Sequence, residues 1–291
     1  MVFIQIIEQV INGLLVGAYY LLIALGLSLI FSLGGLVNLA HGAFYALGAY
    51  LAVQLADHIG FAGALVVSPV LVAIFGLVVE RFLFRRFYRQ DPALGLLLTF
   101  GLAMVIEQLL RIVFGAAPIP FSIPQLLKGQ ILLGDFIYSK YRLVMLLLAA
   151  IAVGGLWFLL QRTPFGRVVR AGVQNPDMVA ALGISLTPYM SGVVAISVAL
   201  AALAGVLLAP ITGVHPAMGS EILTAAFVVV VIGGLGSFWG VVYAALIVGV
   251  VRGLTVYFFP PAAEASMYLL MLLVLLVRPR GLFGERIQRF E

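Results

Sequence analysis

The chain has 291 residues, of which 64% are hydrophobic and 9% charged, with a formal net charge of +5 and no cysteine. Soluble domains carry roughly a quarter charged residues, and a water-soluble fold could not cover this much apolar surface. Disulfides and thiolate metal sites are excluded, and lipid is the required solvent. At roughly 20 residues per crossing of a ~30 Å hydrocarbon layer, the length allows about eight or nine helical spans.

The excess positive charge does not point to nucleic acid. It gathers in three short clusters beside hydrophobic runs: Arg81, Arg85, Arg86 and Arg89; Arg162, Arg167 and Arg170; and Arg278, Arg280, Arg286 and Arg289. That is the positive-inside pattern of cytoplasmic loops. Both lysines, Lys128 and Lys140, lie in one other loop with Asp135, where charges nearly balance. The opening MVFIQIIEQV carries no basic n-region and no small-residue cleavage site follows, so the first span is expected to be retained as its own insertion signal.

In chain order, apolar runs predict spans over about 8–32, 36–56, 61–80, 93–114, 142–161, 189–210, 222–236, 238–257 and 264–278. The expected fold is all-α, a polytopic transmembrane bundle of 8–9 spans with glycine-broken helices, forming one membrane domain over 1–291. Nine spans put all three arginine clusters on one side and the N-terminus opposite. Gly233, Gly234, Gly236 and Gly240 interrupt residues 222–257, where one long kinked helix or a re-entrant pair would change that parity. Segment 115–141 holds Pro118, Pro120 and Pro124, which exclude a helix there. It is either a docking surface for an extracytoplasmic partner or a connector. The glycine-rich stretches near 34–50 and 213–240 weakly resemble each other, as paired broken segments around a midplane site do in transporters.

Three motifs stand out. GGLVNLAHGAFYALGAY (34–50) sets Asn38 and His41 on one helix face within an apolar span, while Gly34, Gly35, Gly42 and Gly48 allow close contact or a break. Buried polar groups must face the protein interior or water, so this is either a discontinuous helix lining a path or a set of packing locks. For His41 alone packing is preferred, because it has no partner for metal or nucleophilic work. TPFGRVVRAGVQNPDMVAALGISLTP (163–188) predicts a short helix with Asn175 as N-cap, Pro176 at the first position and Asp177 on the dipole. Met178, Ala181 and Leu182 share a face and Gly183 ends the turn. The helix either docks a soluble partner or lies on its own membrane domain. VVVVIGGLGSFWG (228–240) suits tight helix crossing; no Walker-type G-x-x-x-x-G-K-[ST] occurs, so the chain binds no nucleotide by a P-loop. Glu107 and Arg111 form a neutralising i,i+4 pair, and Arg252 is expected to snorkel at the outer interface. Trp239 and Tyr257 read as interfacial anchors.

NGLLVGAYYLLIALGLSLIF, NLAHGAFYALGAY, GRVVRAGVQNPDMVAALGI and VVVVIGGLGSFWG, in this order and spacing, resemble the permease family of branched-chain amino acid ABC transporters, specifically LivH-like permeases. The resemblance runs over essentially the whole chain. It implies a permease domain over 1–291 with a cytoplasmic coupling segment at about 162–188, in the bacterial inner membrane. The implied partners are a second permease subunit, cytoplasmic ATPase subunits and a periplasmic substrate-binding protein delivering leucine, isoleucine or valine. No cofactor or metal is expected, and ATP is hydrolysed on the other subunits. Coupling would fall to Gly166, Arg167, Arg170, Asn175, Met178, Leu182 and Gly183. The substrate path would involve Asn38, His41, Gly42, Thr99, Gly233 and Gly234.

Relatives with nearly the same motifs import urea or short amides. An ion-coupled secondary transporter is the other alternative, but it should carry intramembrane carboxylates, and Glu107 alone lies clearly within a predicted span. A passive channel comes next. An intramembrane enzyme is disfavoured, because no paired carboxylates, metal cluster or nucleophile–base spacing appears.

Overall fold

Glycine spacing decides how closely the helices of this bundle meet. In the computed structural model, which describes residues 2–88, 90–133 and 136–284, α1 (Val2–Gly34) crosses α9 (Phe238–Phe258). Gly13 and Gly17 face Gly249 and Gly253, and a Cβ at Gly249 would stand 2.6 Å from the Gly17 backbone nitrogen. Small residues four apart on both helices allow backbone-to-backbone packing, which supplies association energy where lipid offers no hydrophobic drive.

Between them, α2 (His41–Phe82) is 42 residues long, about two crossings, and its regular geometry breaks at Gly60 (φ 72°, ψ 168°). A Cβ at Gly60 would meet open space, so glycine is needed there for its backbone, not for room. The break makes two spans of α2, where the sequence predicts them over 36–56 and 61–80; the first starts at His41 because residues 35–40 are irregular. Next come α3 (Pro92–Phe114), the hairpin strands β1 (Gln130–Leu133) and β2 (Phe136–Ser139), and α4 (Lys140–Arg162). The short helices α5 (Pro164–Gln174) and α6 (Pro176–Ala181) lead to α7 (Thr187–Thr212), α8 (Met218–Gly233), α9 and α10 (Ala263–Val277).

Among the described residues, seven helices are long and apolar enough to cross a membrane, with α2 counted once; α8 is a shorter apolar helix of 16 residues. The expected 8–9 spans fit. Residues 222–257 are neither one kinked helix nor a continuous run: α8 and α9 are separate helices, joined by a turn over 234–237 in which Gly234 and Gly236 take positive φ.

The core lies where α1, α2, α7 and α8 meet, while α3, α4 and α10 turn many large apolar side chains outward, as lipid- or partner-facing helices do. The described arginines of the three clusters collect at one end. Arg85 reaches Ser191 at the start of α7 (3.2 Å), Gly172 packs on Leu33 and Leu186, and the stretch after α10 donates Leu282 N–H to the Ile232 carbonyl (2.8 Å). Arg89, Asp135, Arg286 and Arg289 lie outside the described residues. At the opposite end the proline-rich segment is tied down: Ile119 and Val214 exchange backbone hydrogen bonds of 2.8 and 3.0 Å. Tyr138 donates to the Glu8 carbonyl (3.2 Å).

Candidate functional site

The chain is irregular at two places inside the bundle, before α2 and before α8, and these breaks meet. A Cβ on either Gly42 or Gly219 would run into the backbone carbonyl of the other. Both glycines are therefore demanded by close approach.

In the first break, residues 35–40, Gly35 is exposed while Leu36, Asn38 and Ala40 are buried. Asn38, His41 and Thr99 are all fully buried. Asn38 Oδ1 accepts from the Ala40 N–H (3.1 Å), which stabilises the turn that launches α2. The ring Nε2 of His41 bonds the Ile23 carbonyl on α1 (3.1 Å). The Thr99 hydroxyl, on α3, lies within hydrogen-bond reach of the Val37 carbonyl (3.2 Å) inside the break and of the Gly95 carbonyl on its own helix (3.0 Å). An irregular backbone at membrane depth leaves orphan groups that must be satisfied inside the protein; here Asn38 meets the Ala40 N–H and Thr99 reaches the Val37 carbonyl. Of the residues read as a substrate path, these three and Gly42 are brought together, as joints around the break. Gly233 and Gly234 are not with them. They form the α8–α9 turn at the arginine-rich end, packed on Gly240 and Gly284 and closed by Phe283 N–H donating to the Gly233 carbonyl (3.1 Å).

The second break, residues 213–217, opens onto a cavity of about 630 Å³ near the end opposite the arginines. It is lined from α1, α2, α7, α8, α9 and α10 and carries Arg252, Glu221, Glu264 and His215 together with Tyr19, Tyr20 and Tyr45. That volume is within the roughly 300–1,000 Å³ of small-molecule sites. Asn38, His41 and Thr99 are absent from its wall. His215 Nε2 stands 3.7 Å from Glu221. Arg252 does not snorkel outward as expected: it faces this cavity and an adjoining one, and its buried Nε has no hydrogen-bond partner.

Sequence reasoning missed this cluster because it searched for acids inside spans and found Glu107 alone. Glu80 is also within α2 and buried, accepting from Ser191 Oγ (2.8 Å) and pairing with Arg85 (3.4 Å). Glu221 and Glu264 open α8 and α10. The available signal was the pairing of a span arginine with two helix-starting glutamates.

The third constellation is at the arginine-rich end. Thr163 caps α5 by accepting from Gly166 N–H (3.2 Å), and Asn175 caps α6 by accepting from Met178 N–H (2.9 Å), with proline at both first positions. Gly183 takes φ +78° as the chain leaves α6. Inside this segment the roles divide. Gly166 is buried against the α4 C-terminus, where a Cβ would hit the Leu160 carbonyl, and Arg170 donates to that same carbonyl. Arg167, Asn175 and Gly183 are exposed. Met178 and Leu182 are 58% and 71% exposed, whereas Val179 between them is buried. An apolar, rigidly capped, outward face at a charged end is suited to burial against another protein.

Comparison with known proteins identifies the family. The family described as branched-chain amino acid transport system, permease component, matches residues 9–277. The high-affinity branched-chain amino acid transport system permease protein LivH of Escherichia coli K12 is 27% identical, with 97% of each chain covered. BraD of Pseudomonas aeruginosa, described in the same words, is 28% identical over 96% of each. The LivM permease of Escherichia coli K12 is 29% identical over 90% of this chain and 67% of its own. The chain is a multi-pass membrane protein that belongs to the branched-chain amino acid transport permease family.

Proposed function

We propose that this chain is the membrane-spanning permease of an ATP-driven ABC importer for leucine, isoleucine and valine in a bacterial inner membrane. It acts as one permease domain over 1–291. A second permease subunit completes the path, cytoplasmic ATPase subunits supply the movement, and a periplasmic binding protein delivers substrate. The arginine-rich end faces the cytoplasm, in line with the positive-inside pattern.

The observation that carries this reading is the exposed apolar face of α6, with Met178 and Leu182 turned outward from a helix capped at its start by Asn175. An ATPase that changes shape on hydrolysis can move the bundle only through a rigid contact. Arg167 adds a charged donor for a partner carboxylate. Gly166 and Arg170 tie α5 to α4, so displacement of α6 reaches a spanning helix. In the bundle, Asn38, His41, Gly42 and Thr99 hold the first break in shape beside the path, and Gly233 and Gly234 form the turn on which α8 and α9 shift.

Met178→Asp or Leu182→Asp places a carboxylate in the docking face, which disfavours assembly by about 1–3 kcal/mol. Insertion should remain normal, while co-purification of the ATPase subunits and leucine uptake fall together. Undiminished co-purification and uptake would sink the coupling role. Uptake by the reconstituted complex tests the substrate. Leucine, isoleucine and valine should compete with overlapping affinity, since one methylene gives only ~10–200-fold discrimination in an apolar pocket. Transport of urea without competition from leucine would refute the amino-acid assignment, and uptake driven by an ion gradient without ATPases would refute the importer.

A further inference from the structure

We propose that the cavity before α8 is where the permease takes hold of an α-amino acid zwitterion, with Arg252 receiving its carboxylate and Glu264 and Glu221 its ammonium group. This deepens the import reading and rests on it.

Arg252 lies within α9, a helix apolar enough to span a membrane. Among the described residues the ion pairs are Glu80–Arg85, Glu107–Arg111 and His215–Glu221, so Arg252 and Glu264 belong to none. Arg252 is half-buried, with its Nε enclosed and unpartnered; a guanidinium within a span and without a protein counter-charge is costly, and such residues mark ligand or ion pathways. A substrate carboxylate supplies the missing charge in the bidentate geometry that guanidinium favours.

One cation and two carboxylates around a single cavity match a molecule bearing one negative and one positive group. A simple anion would face two like charges, and a simple cation would leave Arg252 unpaired. Met218, Ile222 and Met267 on the same wall provide apolar surface for an aliphatic side chain, and methionine adapts to several shapes. Tyr20 and Tyr45 are almost wholly buried, line the cavity, and make no side-chain hydrogen bond to the described residues. Their hydroxyls are available to the substrate or to water travelling with it.

The chain has no cysteine, so a reporter thiol at Thr224 on the cavity wall is unique in this subunit. In the assembled transporter carrying Thr224→Cys, leucine should slow maleimide labelling several-fold. Leucinamide, which lacks the carboxylate, and 4-methylpentanoate, which lacks the ammonium, should protect far less. Arg252→Gln should raise the half-protecting leucine concentration about tenfold or more, the loss expected for a charged hydrogen bond. Arg252→Lys should restore part of it. The leucinamide comparison uses intact Arg252, so it decides the matter even where the glutamine variant fails to assemble.

Equal protection by leucine and leucinamide, or no protection in a complex that imports leucine, would overturn the assignment. A complex that imports no leucine, yet is protected by other α-amino acids and not by their amides, would refute the import specificity and leave this site standing.

Discussion

The two breaks in the bundle are built alike and filled differently. Each follows a long helix, each opens a new helix with a glycine in its first turns, and their glycines, Gly42 and Gly219, lie back to back. Around the first, Asn38, His41 and Thr99 are fully buried and each bonds a backbone group, although Asn38 Nδ2 and His41 Nδ1 keep no partner among the described residues. Around the second, His215, Glu221 and Arg252 face open space. A polar residue in an apolar span is thus an ambiguous sign. What distinguishes a joint from a site is whether the side chain is fully enclosed against backbone or lines a cavity that a ligand can enter.

The contact between the breaks is the most sensitive point of this arrangement. Gly42→Val would drive a branched side chain into the Gly219 carbonyl and the Leu223 side chain. Overpacking commonly costs about 1–3 kcal/mol, and backbone on the far side cannot yield as a side chain would. Detergent-solubilised yield and thermal midpoint should both drop sharply. A variant as stable as the parent would mean that the breaks do not meet.

Next in size, the joints and the cavity should respond in opposite ways. Asn38→Ala leaves the Ala40 N–H without its partner in a fully buried place, a loss of about 1–3 kcal/mol, so the thermal midpoint should fall while the preference for leucine over its amide stays. Thr212→Val at the cavity edge should leave the midpoint nearly unchanged, because its hydroxyl makes only a long bond to the Leu208 carbonyl one turn back (3.4 Å) and an exposed one to the adjacent Gly213 carbonyl. If Asn38→Ala changed substrate preference without loss of stability, the division between joint and site would be reversed.

Much of this was legible in sequence. The approximate number and order of spans, the capped helix at 175–183 and the Glu107–Arg111 pair follow from local rules of hydropathy, capping and helical spacing, and the structure bears them out. NLAHGAF announced a break but not its contents. Whether Asn38 faces a path or a peptide group depends on α1 and α3, which periodicity cannot place beside it. The cavity was hidden for the same reason. Arg252, Glu221, Glu264 and Tyr45 come from four helices, and only long-range packing unites them. Arg252 looked interfacial because it lies six residues before the end of its helix; the close crossing with α1 at Gly253 turns that part of the helix inward.

The smallest effect should come from the pair that is neither joint nor site. Glu107 and Arg111 stand one turn apart on α3 at 3.3 Å, with side chains 32% and 48% exposed. Arg111 is in the last turn of the helix, where its stem can lie along apolar neighbours while the charge reaches the interface. A pair so placed keeps partial hydration, and exposed i,i+4 ion pairs contribute about 0.3–0.5 kcal/mol. A double-mutant cycle with Glu107→Gln and Arg111→Gln, read as thermal midpoint in a bilayer mimic, should therefore give a coupling below about 1 kcal/mol. The charge at the bilayer centre is a different case, at about 2.5–3.5 kcal/mol per residue on insertion scales. A coupling of that size would place the pair deep in lipid or against a partner, and would make α3 a buried interface of the assembled transporter.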